Sequence, residues 1–347
     1  MIIEVQADDR ERWNSLVKSF QEYDVFYLNE YVMAFAAEEE NNGIPLLLYY
    51  ESSGDRAINV VFIRDISRDE KFCGKVPEGT YYDLITPYGY GGFWGKVSDY
   101  DNLNQSYNAY CVSKNYICEF VRFNLFGEYR NYYDGHTVSK MHNVVRGLEI
   151  PLDDMWMNFK PKVRKNVKKA QRSGLEVISE NTGKHLGEFL QLYYATMDRS
   201  NAKKEYYFSK DFFMRINCMR DHVQYFHVLY KGELISSELV IYGTENCYSY
   251  LGGTNGEYFD LRPNDLLKYE VIRWAKQKGL KNFVLGGGYG ADDGIFLYKS
   301  CLAPDGIVDF YVGEKIFDRK GYDHLVELRK EISLKGQPGE YFPEYRR

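Results

Sequence analysis

Apolar and polar positions along the chain fall into two similar runs of elements. In the first run, helical spacing covers about residues 11–22 and 30–40. Strand-like residues 46–51 turn at Ser52-Ser53-Gly54-Asp55 into 57–63, and residues 81–85 lead into the glycine-rich Tyr88–Gly92. A helix at about 103–114 and a strand at 119–123 close the run. The second run keeps this order. Helices are predicted at 186–198 and 210–219, and strands 225–230 and 235–242 meet at Lys231-Gly232. Residues 247–251 end in Gly252-Gly253, a helix covers 265–278, and strand 282–285 ends in Gly286-Gly287-Gly288. The late strand–helix–strand of each run reads as a parallel crossover.

A repeat of this length is a duplicated domain rather than a solenoid. Residues 1–150 are expected to form a first domain and residues 151–315 a second. Strand-like 306–313 and a helix at 322–332 follow, and residues 316–347 are expected to pack back on the first domain. The polar end, 335–347, is expected to be loosely held. Asn264 is expected to cap the helix at 265–278, with Asp265 favourable at its positive end.

Composition narrows the class. The 347 residues carry a net charge of -6, 44% hydrophobic and 17% aromatic residues, which excludes a disordered chain. No run approaches the ~20 apolar residues of a membrane span, and the acidic first dozen residues lack signal-peptide character. The six cysteines form no CxxC pair, as expected of reduced thiols in a cytoplasmic protein. No HExxH, GxSxG or Walker pattern is present. His222 and His227 are five apart, off the helical spacing of a metal pair, so no metal site is expected. Gly286, Gly288 and Ala291 match a dinucleotide pattern, but no helix-opening segment follows.

Between Lys160 and Arg172 stand seven basic residues and no acid. Val163, Val167 and Ala170 form one apolar line, which leaves Arg164, Lys165, Lys168, Lys169 and Arg172 for other faces. Like charges at helical spacing repel by a few tenths of a kcal/mol per pair. In a chain of pI about 5.7 this block is either a solvated face or a site for a phosphate-bearing partner, such as tRNA, a nucleotide pyrophosphate or an anionic lipid.

These segments carry a resemblance that spans nearly the whole chain. Lys162–Gly174 resembles the K-x-R-x-x-I-x-K-A-x-x-x-G helix of the Fem family, aminoacyltransferases that build peptidoglycan cross-bridges, and of the acetyltransferase-like proteins grouped with them. Tyr194–Arg199 looks like the family helix ending in T-x-x-R. Tyr248–Gly253, Leu266–Gly279 and Phe283–Gly288 look like the strand, helix and "LGG" strand that follow. Ile295–Lys299 is similar to an L-x-x-[FY]-K element, and Thr86–Gly92 to a motif of bacterial members. Asn29-Glu30-Tyr31 departs from the family's frequent Trp after a polar pair. The long helical hairpin of members acting on lipid-linked precursors is absent, so the chain resembles the shorter members.

The resemblance implies an α/β (α+β) fold of tandem GNAT (acyl-CoA N-acyltransferase-like) domains, mixed sheets flanked by helices. It implies direct aminoacyl transfer from aminoacyl-tRNA to an amine of a nucleotide-linked or lipid-linked envelope precursor. No tightly bound cofactor or transmembrane segment is implied, and peripheral membrane contact stays open. Acyl-CoA is the alternative donor, although Asn255–Asn264 lacks the usual R/Q-x-x-G-x-[GA] pattern. A non-catalytic tRNA- or nucleotide-sugar-binding module is the alternative from another class. Lys299 is the catalytic residue carried over, with Tyr250, Tyr298 and Asp292 beside it. Gly252, Gly253, Asn264, Gly286 and Gly287 are expected at the donor site, where glycine permits close backbone approach. Of the 33 tyrosines, Tyr81, Tyr82, Tyr88, Tyr90, Tyr248, Tyr250, Tyr289 and Tyr298 are expected as amphipathic walls.

Overall fold

The computed structural model describes residues 1–38, 43–288, 293–332 and 341–347. In chain order its first elements are β1 (Ile2–Gln6), α1 (Arg10–Lys18), α2 (Asn29–Ala36), β2 (Gly43–Ser52), β3 (Asp55–Asp65), β4 (Tyr82–Ile85), β5 (Trp94–Lys96), α3 (Tyr100–Ser113), β6 (Tyr116–Arg122) and α4 (Tyr129–Tyr132). There follow β7 (His136–Gly147), α5 (Leu152–Asn158), α6 (Pro161–Arg172), β8 (Glu176–Glu180), α7 (Leu186–Arg199) and α8 (Lys210–Ile216). The remainder is β9 (Val223–Tyr230), β10 (Glu233–Tyr242), β11 (Asn246–Thr254), α9 (Pro263–Gln277), β12 (Asn282–Gly286), α10 (Gly294–Ser300), β13 (Ile307–Ile316) and α11 (Arg319–Ile332).

Contacts divide the chain into two compact units, one of residues 1–20, 26–140 and 310–347, the other of 21–25 and 141–309. In the first, the strand order is β1-β2-β3-β4-β6-β13, with β5 on β3. In the second it is β8-β9-β10-β11-β12-β7. Each unit holds one parallel pair, β4 with β6 and β11 with β12, joined through α3 and α9 respectively. Each also has a hairpin with two consecutive left-handed residues at its turn, Ser53-Gly54 (φ 49 and 89) and Lys231-Gly232 (φ 52 and 84). That geometry matches the right-handed twist of the paired strands. The duplication read from the hydrophobic pattern is therefore present strand by strand.

The core of the second unit explains the amphipathic helices. Val163, Val167 and Ala170 of α6 are buried with Leu266, Leu267, Val271 and Ala275 of α9 and with the β-strand residues Phe226, Val240 and Phe283. Each such side chain contributes about 1.5–3 kcal/mol when fully withdrawn from water. α9 starts two residues earlier than expected, with Pro263 in its first turn and Arg262 before it in the left-handed region (φ 64). Asn264 therefore is not the cap. Its Oδ1 accepts from Ser236 Oγ (3.0 Å) and Thr254 Oγ1 (2.6 Å), tying the first turn to β10 and β11.

Among the described residues seven elements escape the hydrophobic pattern: β1, β5, α4, β7, α5, β8 and α10, the last a helix where none was expected after the glycine run. β8 is mostly exposed and β7 buries only its last third, so neither shows a full alternation. The end of the chain is also different from expectation. Residues 335–340 lie outside the described residues, but 341–347 are anchored in the first unit. Tyr345 is fully buried, and it donates to Asp83 Oδ2 at 2.8 Å. Arg346 donates to both oxygens of the buried Asp83 (2.6 and 3.1 Å), and Arg64 donates to Oδ1 (2.8 Å). Asp83 is buried, but Arg64 and Arg346 hold its carboxyl below the usual carboxylate range.

Tyrosines serve the core more than expected. Tyr107 and Tyr133 donate to the buried Glu119 (2.7 and 3.1 Å), and Tyr248 donates to Asp24. Tyr88 is exposed, Tyr81, Tyr82, Tyr90, Tyr250 and Tyr298 are half-buried, and Tyr289 lies outside the described residues.

Candidate active site at the fork of two parallel strands

β11 and β12 pair only at Asn246↔Asn282, Cys247↔Phe283 and Tyr248↔Val284. β11 then continues to Thr254 without its parallel partner. Opposite it, Leu239 pairs with Leu251 and Val240 with Ser249, so Tyr250 is the extra residue of a β-bulge. A bulge bends its strand and frees a backbone group from the ladder. The strands thus part just where the glycine-rich ends begin.

β12 finishes at Gly286, whose φ of 80 is open to glycine and strained for other residues. The Lys299 ammonium reaches this end from α10 and donates to Gly287 O at 2.6 Å. Asp293 positions α10 by accepting from Phe296 N at 2.7 Å. A methyl group on Gly286 would lie 3.4 Å from Lys299 Nζ, and one on Gly287 would press His142 O at 2.8 Å. Lys299 therefore sits on helix α10, with its ammonium against the backbone of Gly286 and Gly287. Burial, reinforced by the charge of Lys268, pulls its pKa down to about 8 against the attraction of Glu238 and Asp293. Asp292 lies outside the described residues.

Several participants were missed. Glu238 is a charge inside the apolar strand β10 and is 5% exposed. It accepts from Lys268 Nζ of α9 at 2.6 Å, and the same ammonium donates to Ser249 Oγ at 2.6 Å. Asp265, also buried, accepts from Asn166 of α6 at 3.2 Å, and burial lifts its pKa to about 6 despite Arg262 and Lys162. The Tyr298 hydroxyl is buried without a hydrogen-bond partner, within the field of Asp265 and Glu238. Unpaired buried hydroxyls are costly and cluster at sites of function. The sequence signal for Glu238 was the lone carboxylate in Ile235–Tyr242. Nothing local marked Lys268 or Asp265, because their partners lie far along the chain.

The remaining predictions separate. A methyl group on Gly253 would meet Leu192 O of α7 at 2.2 Å, and one on Gly252 would meet Ser237 O at 2.6 Å. The close approach expected there is made by the chain's own backbone, which corrects the reason for these two glycines. On α6, Arg164 donates to Met157 O (2.7 Å) and Phe159 O (2.5 Å), and so closes the end of α5. Arg172 donates to Lys168 O at 3.1 Å, and Lys168 lies 5.9 Å from the centre of the Trp156 ring. Lys165 and Lys169 are exposed. Lys168, Gln171 and Arg172 line an open depression of about 380 Å³.

The repeated unit, the forked parallel pair and the buried lysine together make up the candidate site. Residues 158–300 match the family model described as an acetyltransferase (GNAT) domain. The UDP-N-acetylmuramoylpentapeptide-lysine N(6)-alanyltransferase of Weissella viridescens is 26% identical over 176 residues, 49% of this chain and 51% of that protein. The chain thus spans about half the length of the curated relative it matches. The crystal structure of FemX superposes with a TM-score of 0.67 at 12% identity, covering 93% of this chain and 99% of that one. The C-terminal domain of a putative lysylphosphatidylglycerol synthetase from Agrobacterium fabrum gives 0.57 at 11% identity, covering 91% and 93%. At those identities the two structures speak for the fold. The curated relative and the GNAT-domain match over residues 158–300 are the sequence likenesses that accompany that fold. Among the described residues no helix is long and apolar enough to cross a membrane.

Proposed function

We propose that the protein is an N-acyltransferase that moves an aminoacyl group from aminoacyl-tRNA onto an amine of a peptidoglycan precursor, without a covalent enzyme intermediate. The observation that carries this reading is the buried Lys299 ammonium at the open end of β12, in a chain similar to an alanyltransferase. The neutral amine attacks the ester carbonyl and forms the C–N bond. The carbonyl oxygen gains negative charge, and collapse breaks the C–O bond to the ribose. The proton lost by the amine balances the one gained by the leaving ribose oxygen. Lys299 faces this developing negative charge from a dry position, where a cation acts more strongly than in water. Gly286 leaves room for the donor beside it. Glu238 holds Lys268 in place, so that the two ammonium groups share one counter-charge and keep Lys299 acidic for a lysine. Exposed Lys165 and Lys169 of α6 attract the phosphates of the donor.

The stretch before α9 supports tRNA over coenzyme A. It turns as a short 3₁₀ helix, Gly256–Leu261, then passes through left-handed Arg262 into Pro263, and does not form a glycine cradle for a pyrophosphate. The experiment offers purified protein a UDP-linked muramoyl pentapeptide with alanyl-tRNA or acetyl-CoA, with products read by mass spectrometry. Extension of the peptide by alanine is expected. Product from acetyl-CoA alone would replace the donor, and no product from either would leave a binding module. Lys299→Met is expected to lower kcat by about 10²–10³-fold with precursor binding retained. Unchanged turnover removes Lys299 from the mechanism.

A further inference from the structure

On β10, side chains alternate between faces of the sheet. Glu238 points to the face where Lys268 of α9 lies, and Ser237 points to the other, which carries a second polar cluster. There Glu180 at the end of β8, His185 at the start of α7 and His227 in the middle of β9 each offer one ligand atom, all within 4.8 Å of one another. These atoms are Glu180 Oε1, His185 Nδ1 and His227 Nε2, and each is buried without a hydrogen-bond partner. His227 is fully buried. Its Nε2 stands 3.5 Å from Glu180 Oε1, an ion-pair distance that leaves both atoms without a formed hydrogen bond.

Three buried orphaned atoms converging on one point are costly unless something joins them. The groups around them are already arranged. Glu180 Oε2 accepts from Thr182 N (2.6 Å), Thr182 Oγ1 (2.7 Å) and Gly183 N (2.9 Å), which fixes the carboxylate and leaves Oε1 facing the histidines. Ser237 Oγ lies 2.8 Å from His227 Nδ1. With Nδ1–H donating to that hydroxyl, Nε2 presents its lone pair to the cluster, the usual way a metal-ligating histidine is oriented. We propose that Glu180, His185 and His227 form a divalent transition-metal site of the His₂-carboxylate type, best matched to Zn²⁺. Two imidazoles and one carboxylate suit zinc, with water as fourth ligand. Zinc–ligand bonds of about 2.0–2.1 Å set ligands roughly 3.3 Å apart. The Glu180–His227 edge is near that value already. His185, partly buried in the turn before α7 with its ring 5.1 Å from that of His227, would close the remaining edges. The ion would clamp edge strand β8 and the start of α7 to β9, a structural role on the face opposite Lys299.

The test uses the full chain, stripped with chelator, dialysed and then loaded with Zn²⁺ alone. Calorimetry is expected to show one equivalent bound and heating to show a raised Tm. His185→Gln is expected to remove both effects. Ser237→Ala is expected to weaken binding by about 10–100-fold. Co²⁺ in place of Zn²⁺ should give the intense visible absorption of a tetrahedral site in the wild type and lose it in His185→Gln. If His227→Gln fails to fold, His185→Gln alone decides. No stoichiometric Zn²⁺ in the wild type, or equal binding in His185→Gln, overturns the site and leaves a histidine–glutamate ion pair. All of these readouts are independent of acyl transfer.

Discussion

Lys299 shows how a residue type and its environment divide the work. The sequence marked this lysine through its resemblance to an [FY]-K element, but its chemistry comes from neighbours far along the chain. Burial and Lys268 bring its pKa down to about 8. Because the group is a base whose protonated form is the useful one, turnover is expected to be high below that value and to fall as pH rises through it. Lys299→Arg stays charged across the range, so its weaker turnover should be flat where the wild type falls. Because the acceptor amine must also be neutral, the ratio of wild-type to Lys299→Arg turnover is the readout, and a ratio that rises through pH 8 would make Lys299 a general base and reverse the role given to it. The same environment explains why Glu238 and Asp265 were not found. A carboxylate in an apolar strand and one in a helix's first turn look like ordinary exceptions until Lys268 and Asn166 are seen against them.

α6 is the element on which sequence and structure agree most closely and yet differ in meaning. Its apolar line is buried as its spacing requires. Its basic residues, which look equivalent in sequence, separate into two groups once backbone partners are counted. Arg164 caps the carbonyls of Met157 and Phe159. Arg164→Ala is expected to destabilise the protein by about 1–3 kcal/mol, read by urea unfolding, because two carbonyls lose a charged donor. The pair Lys165→Glu and Lys169→Glu should leave stability nearly unchanged. It should weaken tRNA binding and reduce the slope of log affinity against log salt by roughly one per lost phosphate contact. Equal effects of both variants on tRNA would undo this separation. The glycines carry a similar lesson. Gly252, Gly253 and Gly287 are small because the backbone of β10, α7 and β7 crowds them, whereas Gly286, beside Lys299, needs glycine for its left-handed φ. A run of glycines signals close approach without saying what approaches.

At the scale of the whole chain, the last residues return to a strand formed some 260 positions earlier, Arg346 to Asp83. No local pattern announces this, since 341–347 are too short for a helical or strand period and contain a proline. The contact nonetheless involves a buried carboxylate whose loss of one partner leaves a charge without enough counter-charge. Arg346→Met is expected to destabilise the first unit by about 3–5 kcal/mol, measured by chemical unfolding at pH 7. Asp83's pKa is depressed in the folded state, so this contribution is present above the ordinary aspartate pKa and is lost as pH falls and the carboxyl protonates. The difference between wild type and variant should therefore shrink in acid. A constant difference at all pH values would point to lost packing of the arginine stem.

By itself the sequence determined most of the order of helices and strands, the duplication and the burial of one face of α6, and it pointed to a kind of chemistry. Each of these rests on local periodicity, turn residues or a contiguous motif, which act between neighbours in the chain. Tertiary structure alone decided which lysine is buried, what Glu238 holds, why four glycines are small, where the tail is fastened, and that Glu180, His185 and His227 meet. Each depends on side chains brought together by sheet order and strand register. Their desolvation and charge coupling exist only once the strands between them have paired.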